Sequence, residues 1–319
     1  MVNLHDGGLM AKYRNALPQL TGGMFLTDGG LETDLIFHAG FDMPLFASFP
    51  LLENEAGVTA LRNYYLRMAQ VAAESQVGFI LEAPTWRASR DWAVQLGYSS
   101  ASLADVNHRA VDLLVDIRTM LGELPVVISG AIGPRGDAYN PAHLMTPEEA
   151  EDYHSEQITT LGGTAVDLVT ALTITHAAEA IGIVKAAQSS ALPVAISFTV
   201  ETDGVLPDGS PLSAAILEVD GATDSGPVYY GINCAHPTHF DDVLVPDGDW
   251  MQRIQMVRAN ASRMSHAELD DAADLDDGNP EEFGRESAEL REKFSSINVL
   301  GGCCGTDVRH IQAIAQAIQ

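Results

Sequence analysis

The stretch "TPEEAEDYHSEQITTLGGTAVDLVTALT" (146–173) contains the unit whose repetition decides the fold. Thr146 is a favourable helix N-cap, Pro147 suits the first helical position, and a pair of glycines ends the predicted helix at 146–163. The apolar, β-branched run 165–173 that follows predicts a buried strand. A helix followed directly by a buried strand indicates an α/β protein with a parallel sheet.

The same alternation continues along the 319 residues. Short apolar runs bounded by glycine or proline predict eight strands, at 23–29, 77–84, 125–133, 165–173, 192–200, 227–234, 252–260 and 297–304. Amphipathic helices are predicted between most of them, at 56–75, 102–123, 146–163 and 176–190, the second with Ser102 as N-cap and Asp105 at its third position.

Eight strands alternating with helices predict a single (β/α)8 TIM barrel, with its active site at the carboxyl ends of the strands. An open, doubly wound sheet is the alternative, but "TDGGLETDL" (27–35) after the first strand lacks the Gly-x-Gly-x-x-Gly phosphate turn. We therefore expect one barrel domain over 1–319, with an N-terminal extension at 1–20 and an acidic insertion or loop at 265–290.

The charge balance is strongly acidic, with 17 Lys and Arg against 44 Asp and Glu and a net charge of −27. Such a surface repels phosphate backbones and anionic lipid, which argues against nucleic-acid and membrane-surface roles. It mildly favours a cationic small molecule, although solubility or halophilic adaptation is the preferred explanation of the charge. The residues do not indicate an oligomeric state.

No stretch is long and apolar enough to predict a membrane span, and "MVNLHDGGLMAKYRNALPQL" (1–20) lacks the apolar core of a signal peptide. Three cysteines are an odd number and do not suggest a secreted disulfide framework. Adjacent cysteines also bridge each other only with strain. We therefore expect a cytoplasmic protein with reduced thiols.

The three cysteines all fall at predicted strand ends: Cys234 ends the sixth strand, and Cys303 and Cys304 end the eighth. In a barrel these ends lie on the same face. Three thiolates with an open fourth position are typical of a catalytic zinc site, and the glycines at 301 and 302 would let the backbone turn so that both adjacent thiols converge. Core packing of free cysteines and a redox-active adjacent pair are the alternatives.

With these residues in place, the chain resembles the zinc-dependent homocysteine S-methyltransferase family. The paired "G-x-N-C" and "G-G-C-C" are the specific part of the resemblance. The segments that carry it are "TDGGLETDL" (27–35), "PTWRAS" (84–89), "GAIGPRGDAY" (130–139), "SFTVETDGVLPDGSPLSAAI" (197–216), "GINCAHP" (231–237) and "GGCCGTDVRHI" (301–311).

The resemblance implies a (β/α)8 barrel that transfers a methyl group from an onium or folate donor to the sulfur of homocysteine, giving methionine. It implies that Cys234, Cys303 and Cys304 bind zinc. Among substrate-binding residues it implies that Asp28 holds the acceptor's amino group, that the N–H groups of Gly29 and Gly30 hold its carboxylate, and that Asn233 supports the cysteine loop.

The predicted acceptor pocket departs from the family pattern. Leu172 stands where the family usually has an acidic residue that binds the substrate ammonium, and "RANASRMSH" (258–266) replaces the usual Pro-Asn-x-Gly. Glu82 could supply the missing charge or pair with Arg87. Another thiol or selenol therefore stays open as the acceptor, as does a zinc- or thiol-binding protein without catalysis.

The donor is expected to be a small sulfonium compound such as S-methylmethionine or S-adenosylmethionine. The chain has room only for the barrel, so we expect no cobalamin module. Trp86 and Tyr139 could face the sulfonium cation, and ordinary packing is the alternative role for both.

Overall fold

The computed structural model describes residues 10–139, 141, 144–245, 248–272 and 274–319. Eight parallel strands form a closed barrel in which each strand pairs with the next and β1 pairs with β8. The strands are β1 Phe25–Leu26, β2 Gly78–Glu82, β3 Val126–Ile132, β4 Leu168–Ile174, β5 Val194–Phe198, β6 Tyr229–Asn233, β7 Ile254–Ala259 and β8 Val299–Gly302. The predicted strands and the TIM barrel are confirmed.

The strands alternate with helices that cover the outside of the barrel. The α-helices are α1 Leu31–Thr33, α2 Glu55–Glu74, α3 Arg90–Gln95, α4 Ser100–Met120, α5 Pro147–Gly162, α6 Ala177–Ser189, α7 Leu212–Thr223, α8 Pro237–Phe240, α9 His266–Asp270, α10 Pro280–Lys293 and α11 Val308–Ala317. A π-helical turn follows α1 at Asp34–His38, and 3-10 turns lie at Pro18–Thr21, Pro44–Phe46, Phe49–Glu53 and Asp249–Arg253. None of the described helices is both long and apolar enough to cross a membrane.

Local capping sets where the predicted helices begin. Thr146 caps α5 as predicted, in a capping box with Glu149. For α4 the predicted cap is wrong by three residues, because Ser99 is the N-cap and Ser102 is the third helical residue. The two serines satisfy each other's backbone N–H groups, whereas Asp105 lies inside the helix and forms an ion pair with Arg109 at 2.8 Å.

The amino-terminal end of the barrel is closed by the described part of the N-terminal extension. The backbone N–H of Tyr13 donates to the Asp167 carboxylate at 2.6 Å, and Leu17 packs into the apolar interior of the barrel. The Arg14 guanidinium donates to the backbone carbonyls of Gly162, Thr164 and Val166. The large cavity of the protein lies at the other end, beyond the carboxyl ends of the strands.

The acidic stretch 265–290 contains α9, most of α10 and the loop between them. The loop returns to the barrel, where the Asp276 carboxylate accepts a hydrogen bond of 2.6 Å from the Ser262 hydroxyl. Leu269, Ala272 and Leu275 from this stretch line the cavity. The segment therefore forms one wall of the cavity.

Candidate functional site

A cavity of about 430 Å³ opens at the carboxyl ends of the strands. Its walls include residues that follow or end β1, β2, β4, β6, β7 and β8. It contains all the residues predicted from the sequence as a site: Asp28, Gly29, Gly30, Glu82, Trp86, Asn233, Cys234, Cys303 and Cys304. Residues spread over 277 positions of the chain therefore share one cavity, as a barrel arrangement requires.

The three cysteines, which we call the sulfur cluster, converge at the floor of this cavity. Their sulfur atoms all lie within 4.8 Å of one another. Strand β7 brings them together because it lies between β6 and β8. The backbone N–H of Cys234 donates to the carbonyl of Arg258 at 3.1 Å, and the N–H of Cys303 donates to that of Ala259 at 2.7 Å. Cys234 has a φ of 56°, a left-handed conformation uncommon for a non-glycine residue and frequent at functional sites.

The two glycines before Cys303 serve close packing rather than a backbone turn. A β-carbon on Gly301 would collide with the Thr27 side chain, and one on Gly302 would collide with the Thr306 side chain. The positive φ of this loop, 79°, is at Gly305. The expectation that glycines 301 and 302 provide the turn is therefore wrong in mechanism, although the adjacent cysteines do converge with Cys234.

In the structure the Cys234 and Cys303 sulfurs lie against each other, and the Cys304 sulfur completes the cluster. The Cα atoms of Cys234 and Cys303 are 5.4 Å apart, so the ends of β6 and β8 bring these residues side by side. Three reduced thiols stay a prediction. Because metal ligands must be thiolates, the sulfur cluster can act as a metal site when its cysteines are reduced.

Polar side chains from β4 and β6 hold the Cys234 sulfur. The Asn233 amide donates to the Cys234 Sγ at 3.3 Å and to the Thr173 hydroxyl at 2.8 Å. The Thr173 backbone N–H in turn donates to the Asn233 side-chain oxygen Oδ1 at 2.9 Å. Thr173 has a φ of 63° and lies at an irregularity in the pairing of β4 with β5. These hydrogen bonds tie the Cys234 sulfur to β4 and β6, and the supporting role of Asn233 stays a prediction.

A second group, which we call the charged cluster, consists of Asp28, Glu82 and Arg258. All three side chains are buried and line the cavity. Arg258 Nη2 donates to Asp28 Oδ1 at 2.6 Å, and Arg258 Nη1 lies 4.0 Å from Glu82 Oε1. Arg258 was not among the site residues predicted from the sequence. An arginine inside a predicted buried strand was the available signal, because arginine is rarely buried without a partner.

Burial and the opposite charges within this cluster have opposing effects on the pKa values of its three side chains. Burial raises the pKa of Glu82 to about 7, against the lowering effects of Arg258 and of the nearby Ser129 and Thr170 hydroxyls. Burial also raises the pKa of Asp28, while Arg258 and the Tyr64 hydroxyl act to lower it. For Arg258, burial acts to lower the pKa, but the adjacent carboxylates hold it above its ordinary value. Arg258 is therefore a fixed positive charge in the cavity.

The two glycines after β1 differ in what their N–H groups can do. The N–H of Gly30 already donates to the Thr306 carbonyl oxygen at 3.0 Å and to its hydroxyl at 3.1 Å. A β-carbon on Gly29 would approach Thr306 to 2.9 Å, so the chain passes very close at this point. Of the pair predicted to bind a substrate carboxylate, only the N–H of Gly29 remains a candidate.

The aromatic residues predicted for the donor side already have partners. The Arg87 guanidinium lies between two indole rings, 4.1 Å from the Trp86 ring centre and 3.7 Å from that of Trp92. Trp86 Nε1 also donates to the Leu172 carbonyl at 3.2 Å. Glu82 faces Arg258 instead of Arg87, so the alternative pairing of Glu82 with Arg87 is not the one formed.

Tyr139 stacks on His266, with 3.9 Å between the ring centres. His266 Nε2 lies 2.5 Å from the Cys234 carbonyl oxygen, so this stacked pair is tied to the cysteine loop. The Asn260 side-chain amide donates to the same carbonyl at 3.0 Å. His266 and Asn260 both line the cavity, and the sequence analysis identified neither as a site residue.

Comparisons with known proteins agree with this geometry. The sequence model described as homocysteine S-methyltransferase matches residues 25–318. Homocysteine S-methyltransferase 4 of Zea mays is 24% identical over 318 residues, covering 93% of this chain and 90% of the relative. Selenocysteine Se-methyltransferase of Brassica oleracea var. italica is 22% identical over 320 residues, covering 92% and 88%. The homocysteine methyltransferase MmuM of Escherichia coli, in its metallated form, has the same fold, with a TM-score of 0.72, 18% identity and coverage of 95% and 99%. The chain belongs to the homocysteine S-methyltransferase family and is an S-methyltransferase.

Proposed function

We propose that the protein transfers a methyl group from a small sulfonium donor to the sulfur of a small thiol, with zinc held by Cys234, Cys303 and Cys304. Homocysteine is the first candidate acceptor, and S-methylmethionine and S-adenosylmethionine are the first candidate donors. The sulfur cluster is the observation that carries the proposal, because it brings three soft ligands together at the floor of a cavity of substrate size.

The chemistry of the ligands supports zinc. Three cysteine sulfurs within 4.8 Å of one another match a site with three protein ligands and one open position. Sulfur ligands also disfavour magnesium and calcium. When bound, zinc lowers the pKa of a thiol and so supplies a thiolate at neutral pH.

The protein's own residues position the metal-binding sulfur and line the cavity in which the transfer takes place. Asn233 and Thr173 fix the position of the Cys234 sulfur. Leu172 and Trp86 give the cavity apolar surface, which limits water near the reacting atoms.

In the transfer, the acceptor sulfur forms a bond to the methyl carbon while the carbon–sulfur bond of the sulfonium breaks. The bonding electron pair goes to the leaving sulfur, which departs as a neutral thioether, and the proton of the acceptor thiol passes to solvent. Holding the two molecules in line supplies much of the rate enhancement.

Acidic residues in the cavity lining support a cationic donor. Glu32, Asp274 and Asp276 are part of its lining, and the whole chain has a net charge of −27. Negative potential in a cleft raises the local concentration of a cationic ligand. A sulfonium compound satisfies this preference, and it becomes neutral once its methyl group has been transferred.

A different thiol or selenol is a second candidate acceptor. Leu172 lines the cavity at the position where the family usually has an acidic residue, and Arg258 compensates the charge of Asp28. Both features change the region that would contact the acceptor beyond its sulfur. The curated relative named for selenocysteine supports testing a selenol.

The proposed function is tested by methyl transfer with reduced, zinc-loaded protein. A panel of thiols and selenols is combined with S-methylmethionine and with S-adenosylmethionine, and the methylated products are identified by mass spectrometry. We expect transfer to at least one thiol, with loss of transfer in Cys304→Ser. If zinc binds but no acceptor is methylated by either donor, the protein is a zinc- or thiol-binding protein instead.

A further inference from the structure

Arg258 is held rigidly but has one nitrogen without a hydrogen-bond partner. Its Nε donates to the Gly302 carbonyl at 3.2 Å, and its Nη2 donates to Asp28 at 2.6 Å and to the Gly29 carbonyl at 3.4 Å. Among the described residues, the buried Nη1 has no hydrogen-bond partner, and Glu82 is 4.0 Å away. A buried guanidinium with a spare donor in a cavity wall is suited to bind an anion when the neighbouring Glu82, whose pKa burial raises, holds its proton.

Asp28, in contrast, is already occupied. Its Oδ1 accepts from Arg258, and its Oδ2 accepts from the Tyr64 hydroxyl at 3.4 Å. A substrate ammonium placed at Asp28 would lie beside the Arg258 guanidinium, and two like charges in a buried site repel each other. Leu172 offers no charge in place of the missing carboxylate. The role that the family resemblance implies for Asp28 is therefore disfavoured in this chain.

The position of Arg258 relative to the sulfur cluster limits the size of the acceptor. Arg258 pairs with Asn233 of β6 and with Gly301 of β8, and its carbonyl accepts the N–H of Cys234. The guanidinium and the cysteine sulfurs therefore belong to adjacent strand ends. A molecule with a short carbon chain between its sulfur and its anionic group is the kind of ligand that contacts both.

We infer that the acceptor is a short thiol carrying a carboxylate, that Arg258 Nη1 binds this carboxylate, and that an ammonium group on the acceptor is not recognised. The inference rests on the proposed methyl transfer and specifies the class of its acceptor. The opposing arrangement, an ammonium bound by Glu82, predicts the reverse ranking of ligands in the experiment below.

The first test measures binding of methylated products, which requires neither zinc nor turnover. Three thioethers differ by one group each: methionine, 4-(methylthio)butanoate, which lacks the amino group, and 3-(methylthio)propylamine, which lacks the carboxylate. Calorimetry with wild-type protein is expected to show 4-(methylthio)butanoate binding within about threefold of methionine or tighter, and the amine binding at least about tenfold more weakly. A methionine affinity more than threefold above that of 4-(methylthio)butanoate, or an amine less than tenfold weaker, overturns the inference.

The second test removes the guanidinium. In the double variant Asp28→Asn/Arg258→Met both members of the 2.6 Å pair lose their charge, so Asp28 is not left as a buried carboxylate without its guanidinium. We expect 4-(methylthio)butanoate to bind at least about tenfold more weakly to it than to wild type, with little change for the amine. Arg253→Met is the matched control, because Arg253 precedes the other end of β7 and pairs with Asp220 at 2.9 Å. Equal losses in both variants, or no loss in the double variant, contradict the inference.

These tests separate the inference from the proposed function. Methyl transfer to none of the thiols, with the binding ranking intact, contradicts the proposed function and leaves the carboxylate site standing. Transfer to homocysteine with a strong binding preference for the ammonium supports the function and overturns the carboxylate site. If the double variant does not fold, the wild-type ranking still decides.

Discussion

The sulfur cluster and the charged cluster share one cavity but are built on different principles. The sulfur cluster contains three residues of one kind, drawn together by backbone hydrogen bonds to β7. The charged cluster contains two carboxylates and one guanidinium that compensate one another through side chains. Under the proposals above, the sulfur cluster supplies the chemistry and the charged cluster selects the acceptor.

Breaking the sulfur cluster is expected to give the largest effect. In reduced protein, Cys234→Ser or Cys304→Ser should lower the zinc content from about one ion per chain to near none, because an oxygen ligand binds zinc far less well in a soft site. Methyl transfer should be lost with the metal. Metal analysis by mass spectrometry and the transfer assay measure the two effects.

Ala235→Ser is the control for the cysteine variants. It introduces the same hydroxyl into the same buried loop, one residue from Cys234, and should keep its zinc. A zinc-loaded Cys304→Ser protein with full activity would show that the sulfur cluster is not the metal site.

Breaking the charged cluster tests stability rather than metal binding. Arg258→Met leaves Asp28 buried without its partner and should lower the free energy of unfolding by about 3–5 kcal/mol. Arg253→Met breaks a pair that is closer to solvent and should cause a smaller loss. Urea denaturation of the reduced proteins measures both.

The double variant Asp28→Asn/Arg258→Met separates the effect of losing the ion pair from the effect of losing the other contacts of Arg258. Without either charge, most of the lost stability should return, since a buried pair replaced as a unit is often nearly neutral. If the single and double variants are equally unstable, Arg258 stabilises the protein mainly through its contacts with the Gly302 and Gly29 carbonyls.

The sequence predicted the strands and the cysteine cluster, which depend on local sequence pattern and on barrel topology. All eight strands were predicted because β-branched runs between glycines and prolines mark buried parallel strands. The N-cap of α4 was misplaced because Ser99 and Ser102 are both good caps and only their mutual hydrogen bonds select one. The cysteines were predicted as a cluster because barrel topology alone brings strand ends together.

The charged cluster was harder to predict because it depends on side-chain contacts between distant residues. Arg258 contacts Asp28 across 230 positions of sequence, and no local pattern encodes that pairing. The N–H of Gly30 looked available in the sequence, and only the fold reveals that Thr306 accepts it.

Glu82 makes the charged cluster sensitive to pH. Its pKa in the folded protein is about 7, above the ordinary value of 4.5, so the folded state keeps a proton that the unfolded state loses. Stability from this group is therefore present at low pH and is lost as pH rises from about 4.5 to 7. Relative to wild type, Glu82→Gln should gain about 2–3 kcal/mol in unfolding free energy between pH 5 and pH 8.

Urea denaturation at a series of pH values measures this gain. Glu123→Gln, at an exposed turn, controls for the general loss of one carboxylate. If the difference between Glu82→Gln and wild type is the same at pH 5 and pH 8, Glu82 does not titrate in this range. The sulfur cluster should be unaffected, so zinc content should match that of wild type.

The smallest expected effect comes from restoring a carboxylate at the acceptor end with Leu172→Glu. An ammonium that faces leucine is partly desolvated without a charged partner, so the added carboxylate should favour homocysteine over 4-mercaptobutanoate. We expect the ratio of kcat/KM values for the two acceptors to shift toward homocysteine by about tenfold, or roughly 1.4 kcal/mol. Leu172→Gln controls for polarity and size without charge, and both variants must be compared as folded, zinc-loaded proteins because a buried carboxylate lowers stability. If wild type already prefers homocysteine by several orders of magnitude and Glu82→Gln leaves that preference untouched, Leu172 does not face the ammonium. The ammonium of the acceptor would then be bound outside both the sulfur cluster and the charged cluster.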